Sequence, residues 1–154
     1  MKISGEGETS TEEWAPALGG LILPVTDRRM LFILTAIDTA SVHVTCIQAD
    51  EEPPINLEDW DDVAVTTLRA EFDNTLYVAG LFGGDASESL ISDTGDYRIR
   101  VSGARRDGQL DDIIEEEASE YYLVEIWPVT DGTIFDEVVK MTSKSAAYLQ
   151  ENFG

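Results

Sequence analysis

Apolar residues arrive in short bursts from residue 18 onward, and their spacing has the period of strands. Runs at 18–25, 31–37 and 41–49 are separated by the polar breaks Thr26-Asp27-Arg28-Arg29 and Asp38-Thr39-Ala40. In the third run Val42, Val44 and Cys46 alternate with His43, Thr45 and Ile47, the repeat that sends successive side chains to opposite faces of a sheet. The prolines of Asp50-Glu51-Glu52-Pro53-Pro54 forbid a central strand or a helix, so a loop follows. Alternation resumes at Val63, Val65 and Thr67, and residues 76–79 form another β-prone run after the turn signal Asp73-Asn74. Gly80, Gly83 and Gly84 read as turn residues, with no Lys-Ser or Lys-Thr after them to make a phosphate loop. The clearest half-buried strand is Tyr97-Arg98-Ile99-Arg100-Val101, with Tyr97, Ile99 and Val101 facing the core. Its partner is expected at 121–127, closed by Pro128.

Only the C-terminal stretch has helical spacing. Thr133 as N-cap, Asp136 three residues on and the pair Asp136 and Lys140 predict a helix at about 135–150. Its buried stripe would be Val138, Met141, Ser145 and Tyr148 or Leu149. The expected fold is mostly β, an antiparallel, jelly-roll-like β-sandwich with one C-terminal helix. Residues 1–14 read as an acidic flexible tail and 15–154 as a single domain.

Charge changes this picture most. The 154 residues carry 31 acids against 10 bases, a formal net charge of −21. A surface this negative repels nucleic acid and anionic lipid, so direct partners of those kinds are not expected. No window reaches the length of a membrane span. The polar, acidic first residues lack the basic start and apolar segment of a signal peptide, which predicts a cytoplasmic protein. A lone cysteine, Cys46, rules out an internal disulfide framework.

Little catalytic material is present. His43 is the single histidine and lies on an alternating strand, as does Cys46, so both read as strand residues; no catalytic residue, metal site or cofactor is assigned. Asp59, Asp61 and Asp62 around Trp60 offer oxygen ligands but lack the glycine turn and terminal glutamate of an EF-hand loop. Arg98, Arg100, Arg105 and Arg106 are expected to pair with carboxylates on an overcharged surface. The acids are uneven. Residues 50–62 hold Asp50, Glu51, Glu52, Glu58, Asp59, Asp61 and Asp62 without a base, and residues 107–120 hold Asp107, Asp111, Asp112, Glu115, Glu116, Glu117 and Glu120 without a base. Such loops suit a basic protein partner, with Trp60 and Trp127 as anchors. The candidate contact residues are Asp59, Trp60, Asp61, Asp62, Asp111, Asp112, Glu115, Glu116 and Glu117. The alternative is an acidic housekeeping domain adapted to salt, since Lys2, Lys140 and Lys144 are the only lysines. A cation-dependent enzyme is the least favoured reading.

The segment Asp93-Thr94-Gly95-Asp96-Tyr97-Arg98-Ile99-Arg100, followed by a polar loop and Glu120-Tyr121-Tyr122-Leu123-Val124-Glu125-Ile126-Trp127, resembles the closing hairpin of the competence-system DNA-entry nuclease inhibitors. Those are small acidic β-sandwich proteins. Together with Asp59-Trp60-Asp61-Asp62-Val63, it also resembles a group of uncharacterised actinobacterial β-sandwich proteins. The likeness covers about a quarter of the chain and implies a sandwich fold and a role in neutralising a partner protein. It carries over no partner-contacting residue.

Overall fold

The computed structural model describes residues 2–5, 14–35, 42–70, 76–79, 94–107, 120–130 and 132–154. Two sheets hold most of these residues. The first has the order β2-β3-β1-β6, from β1 (Lys2–Gly5), β2 (Ile22–Pro24), β3 (Met30–Ile33) and β6 (Leu76–Ala79). The second has the order β4-β8-β7-β5-β9, from β4 (Val42–Gln48), β5 (Asp62–Ala70), β7 (Gly95–Ala104), β8 (Glu120–Val129) and β9 (Glu137–Met141). Among the described residues there is one α-helix, α1 (Lys144–Phe153), which follows β9. No helix among the described residues is long and apolar enough to cross a membrane.

Register explains the core. Antiparallel pairing sets Ile99 between Thr66 and Ile126, and Val101 between Ala64 and Val124. Ala64, Ile99, Val101, Val124 and Ile126 join Leu68, Tyr97 and Tyr122 in one buried apolar cluster, which also takes in Leu21, Ile22, Leu31 and Ile33 from the first sheet and the turn before it. The expected inward face of β7 is therefore the observed one. Burial of each such side chain contributes about 1.5–3 kcal/mol, so this shared cluster is the main force joining the sheets. Arg28 adds a polar tie. Its backbone takes φ 64, its carbonyl accepts from the Arg69 amide at 2.7 Å, and its guanidinium forms a two-pronged pair with Asp136 at 2.8 Å.

Four expectations are corrected. The tail is not uniform, because Lys2–Gly5 is an inner strand paired to both β3 and β6, while residues 6–13 lie outside the described residues. The second sheet is not purely antiparallel: β4 runs parallel to β8. Pro128 does not close β8, which continues to Val129; β4 has ended by then, so the proline sits where β8 has a neighbour on one side only. The helix begins nine residues later than expected, at Lys144. Residues Glu137–Met141 instead extend along β5, a conformation that the β-branched pair Val138-Val139 favours. The N-cap is Ser143, whose hydroxyl accepts from the Ala146 amide at 2.9 Å, and the expected stripe dissolves: Val138, Met141 and Tyr148 are exposed and Ala146 is the buried helical residue.

Candidate functional site

The connection from β4 to β5 crosses the outer face of the second sheet, and this explains a departure from the alternation read in the sequence. Val63, Val65, Thr67, Arg100, Ser102, Glu125 and Trp127 all point away from the apolar cluster, yet all are buried. The acidic connection roofs the part around Arg100, while Thr67 lies under residues 133–135, its hydroxyl accepting from the Phe135 amide at 2.8 Å. The connection is pinned where the Ala49 amide meets the Ile126 carbonyl at 2.9 Å, where Arg100 donates to the Pro53 carbonyl at 2.7 Å, where Lys140 donates to the Leu57 carbonyl at 2.8 Å, and where the Asp61 amide meets the Gly103 carbonyl at 2.9 Å. Between these pins Pro53-Pro54 stiffens the backbone and Asn56 caps a single 3₁₀ turn, Leu57–Asp59.

Arg100 is the central pin. A guanidinium is always charged, so its burial requires a charged partner. Glu125 supplies one at 2.9 Å, the outward-facing Glu52 lies at 3.5 Å, and the Trp127 ring stacks with its centroid 5.5 Å away. The expected carboxylate pairing of Arg100 is real, but it lies inside the protein and not on its surface. Trp127 is likewise enclosed beside it, leaving half-buried Trp60 as the accessible one of the two expected anchors.

Asp62 departs furthest from expectation. Its side chain is wholly buried against the equally buried Arg106 at 2.8 Å. The remaining lone pairs accept from the Thr142 and Ser143 amides at 3.0 and 3.2 Å and from the Ser143 hydroxyl at 2.7 Å. No oxygen is left for a partner, so Asp62 is a structural residue. Arg106 also donates to the Tyr122 hydroxyl and to the carbonyls of Gly20 and Leu34, at 3.2, 2.9 and 2.7 Å. The Tyr122 hydroxyl in turn donates a hydrogen bond to buried Glu120. Burial pushes the Tyr122 phenol up, the Arg106 charge pulls it down, and the bond to Glu120 adds to the rise, so the phenol stays protonated and available as a donor. Arg105 makes this geometry possible. Its left-handed backbone, φ 60, turns the chain so that Arg105 lies over Tyr121 while Arg106 points inward.

The second acid-rich segment divides in the same way. Asp107 caps α1, accepting from the Lys144 and Ser145 amides at 2.7 and 2.9 Å. Against a desolvation penalty, these amides and the Ser145 hydroxyl hold its carboxyl below the usual range. Asp111, Asp112, Glu115, Glu116 and Glu117 lie outside the described residues. The surface that remains is Asp50, Glu51, Glu52, Glu58 and Asp59, all exposed, with half-buried Trp60 and Asp61 at its end.

The other chemical candidates stay apart. His43 is exposed against Tyr121, with ring centroids 5.5 Å apart, and burial pushes the half-buried Cys46 thiol up, away from a nucleophilic thiolate. Among the described residues, no three His, Cys, Asp or Glu side chains converge as metal ligands. An open cavity of about 250 Å³ lies where β4 and β8 end and β7 begins, bordered by Gln48, Asp50, Thr94 and Asp96; Asp96 is drawn to Arg69 at 3.7 Å. In comparisons with known proteins, the chain matches no family model, no curated protein and no solved structure.

Proposed function

We propose that the chain is an acidic protein-binding module that neutralises a basic partner, as an inhibitor or immunity protein does for a nuclease. The observation that carries this reading is the array Asp50, Glu51, Glu52, Glu58 and Asp59, exposed on a backbone already pinned to the sheet. A backbone held in this way loses little conformational freedom on docking, and the field of its carboxylates steers a cationic cleft toward them. Two bases touch this connection and five carboxylates outnumber them: Arg100, enclosed and paired with Glu125, reaches Glu52 at 3.5 Å, and Lys140 donates to the Leu57 carbonyl. Trp60 and Asp61 extend the docking surface, and Asp111, Asp112, Glu115, Glu116 and Glu117 would supply further charge. The two sheets pack face to face as a jelly-roll-like sandwich in this reading, supported by the apolar cluster drawn from both.

The test is low-salt capture from the source cells, comparing the wild-type chain with a Glu51→Lys, Glu58→Lys, Asp59→Lys variant. A basic protein should be retained by the wild type, lost from the variant, and released at about 0.5 M KCl as screening shortens to a few ångströms. Its nuclease activity should fall when the wild-type chain is added. Equal retention by both proteins, or no basic protein on either, overturns the proposal. A second reading, surface adaptation to salt, rests on the three lysines of the whole chain. It predicts a melting temperature that rises with KCl and no complex.

A further inference from the structure

We infer that the basic partner docks by strand addition, laying an extended segment along the open side of β4; the inference rests on the function proposed above. Among the described residues β4 pairs with β8 alone, so its other side borders the second sheet. Sheet edges are aggregation hazards, and proteins blunt them with short strands, prolines, lysines or bulges. The other edges described here are short or carry such devices: β6 has only four residues. β2 has three residues and ends in Pro24, and β9 carries Lys140 and a register shift opposite Val63 and Ala64. β4 has none. Its seven residues, Val-His-Val-Thr-Cys-Ile-Gln, pair with β8 without a register break and carry no Lys, Arg, Asp or Glu, in a chain of net charge −21.

The ladder shows which groups are on offer. In a parallel pair the residues that bond one neighbour alternate along the strand. The Ala49 amide donates to Ile126 of β8, so by this period Ile47, Thr45 and His43 also bond β8. Val42, Val44, Cys46 and Gln48 then turn their N–H and C=O groups to the open side. An added strand bonds those groups and sets alternate side chains beside exposed His43, Thr45 and Ile47. Charge selects the occupant. β4 runs directly into exposed Asp50, Glu51 and Glu52, which suit Lys or Arg flanking the added strand, whereas a second copy would bring one charge of −21 against another.

A capped peptide of alternating Thr and Val flanked by lysines is the probe, read by amide chemical shifts and hydrogen exchange at low salt. In the free protein the amides of Val44, Cys46 and Gln48 should exchange quickly. Peptide should slow them and shift Asp50, Glu51 and Glu52, with binding weakened about tenfold by Gln48→Pro, which removes one outward donor and leaves the β8 ladder intact. N-methylation of alternate peptide amides should abolish the effect. Equal binding of the N-methylated peptide overturns strand addition but leaves electrostatic docking standing. No shift up to about 1 mM peptide also overturns it, since that limit corresponds to only about 4 kcal/mol of binding. Slow exchange at those amides in the free monomer would show the chain's own residues on β4, and slow exchange in a dimer would show a second copy there. Either result overturns the inference, while the capture experiment tests the docking reading independently.

Discussion

Replacing Arg106 by Met tests the most consequential reading of the fold, that one buried guanidinium joins elements distant in the chain. The side chain is wholly enclosed and bonded to Asp62, Tyr122, Gly20 and Leu34. Methionine fills much of the volume but offers no donor, so two carbonyls lose a buried partner and Asp62 keeps its charge without the countercharge. Breaking a buried pair on one side costs about 3–5 kcal/mol. The lower figure applies if the Thr142 and Ser143 donors still satisfy Asp62, the upper if they do not. A domain of this size has about 5–15 kcal/mol in all, so the loss is a large share of its stability. At about 2–4 °C per kcal/mol, melting should fall by roughly 6–20 °C, measured by circular dichroism or calorimetry. Asp27→Asn is the control: its ion pair with Arg29 spans 3.9 Å between half-buried side chains, and asparagine keeps the oxygen that accepts from the Arg29 amide, so the loss should cost under about 1 kcal/mol. If Arg106→Met melts within about 2 °C of wild type, a change worth about 1 kcal/mol or less, the hub does not hold the fold together.

Asp107 has a folded-state pKa below its unfolded value, so its stabilisation is complete above the ordinary carboxylate range and is lost as pH falls through the depressed value. Asp107→Asn should therefore flatten the acid side of the stability profile, seen in urea midpoints across pH. Ser143→Ala removes the α1 cap and one donor to Asp62, and should cost about 1–2 kcal/mol by urea titration. Gly20 and Gly132 form a matched pair, with φ 62 and φ 69. A Cβ on Gly20 would collide with the Ala146 carbonyl, while one on Gly132 meets nothing within 4 Å. Gly132→Ala should cost about 1 kcal/mol for its backbone alone, and Gly20→Ala clearly more, because helix and turn must separate. Equal melting temperatures for the two variants would refute that account.

Local periodicity carried much of the strand pattern. The inward faces of β4 and β7, with Val42, Val44 and Cys46 on one and Tyr97, Ile99 and Val101 on the other, follow from two-residue alternation next to a single core. The outer face could not be read this way, because Arg100 and Glu125 look like solvent positions until the acidic connection is placed over them. Asp62 misled for a related reason: within a run of acids, only its register opposite Gly103 and the return of Arg106 mark it as internal. A signal was present in the adjacent pair Arg105-Arg106 after a strand, but separating the two roles needed the left-handed turn at Arg105. Residues 137–141 were ambiguous, since Val138, Met141 and Lys140 suit a helix face as well as an edge strand; pairing with β5 decided the outcome.

The hub around Asp62 and Arg106 has a consequence for how the chain is made. It gathers Gly20, Leu34, Asp62, Arg106, Tyr122, Thr142 and Ser143, and the neighbouring Gln150 amide clasps Gly20 and Ala17. Translation supplies those groups in order, so Asp62 waits through the synthesis of some eighty residues before its Ser143 donors exist. Early strands can pair as they appear, but the polar centre stays open and hydrated until then. Final closure is therefore expected to be a late event, with the C-terminal helix acting as its latch.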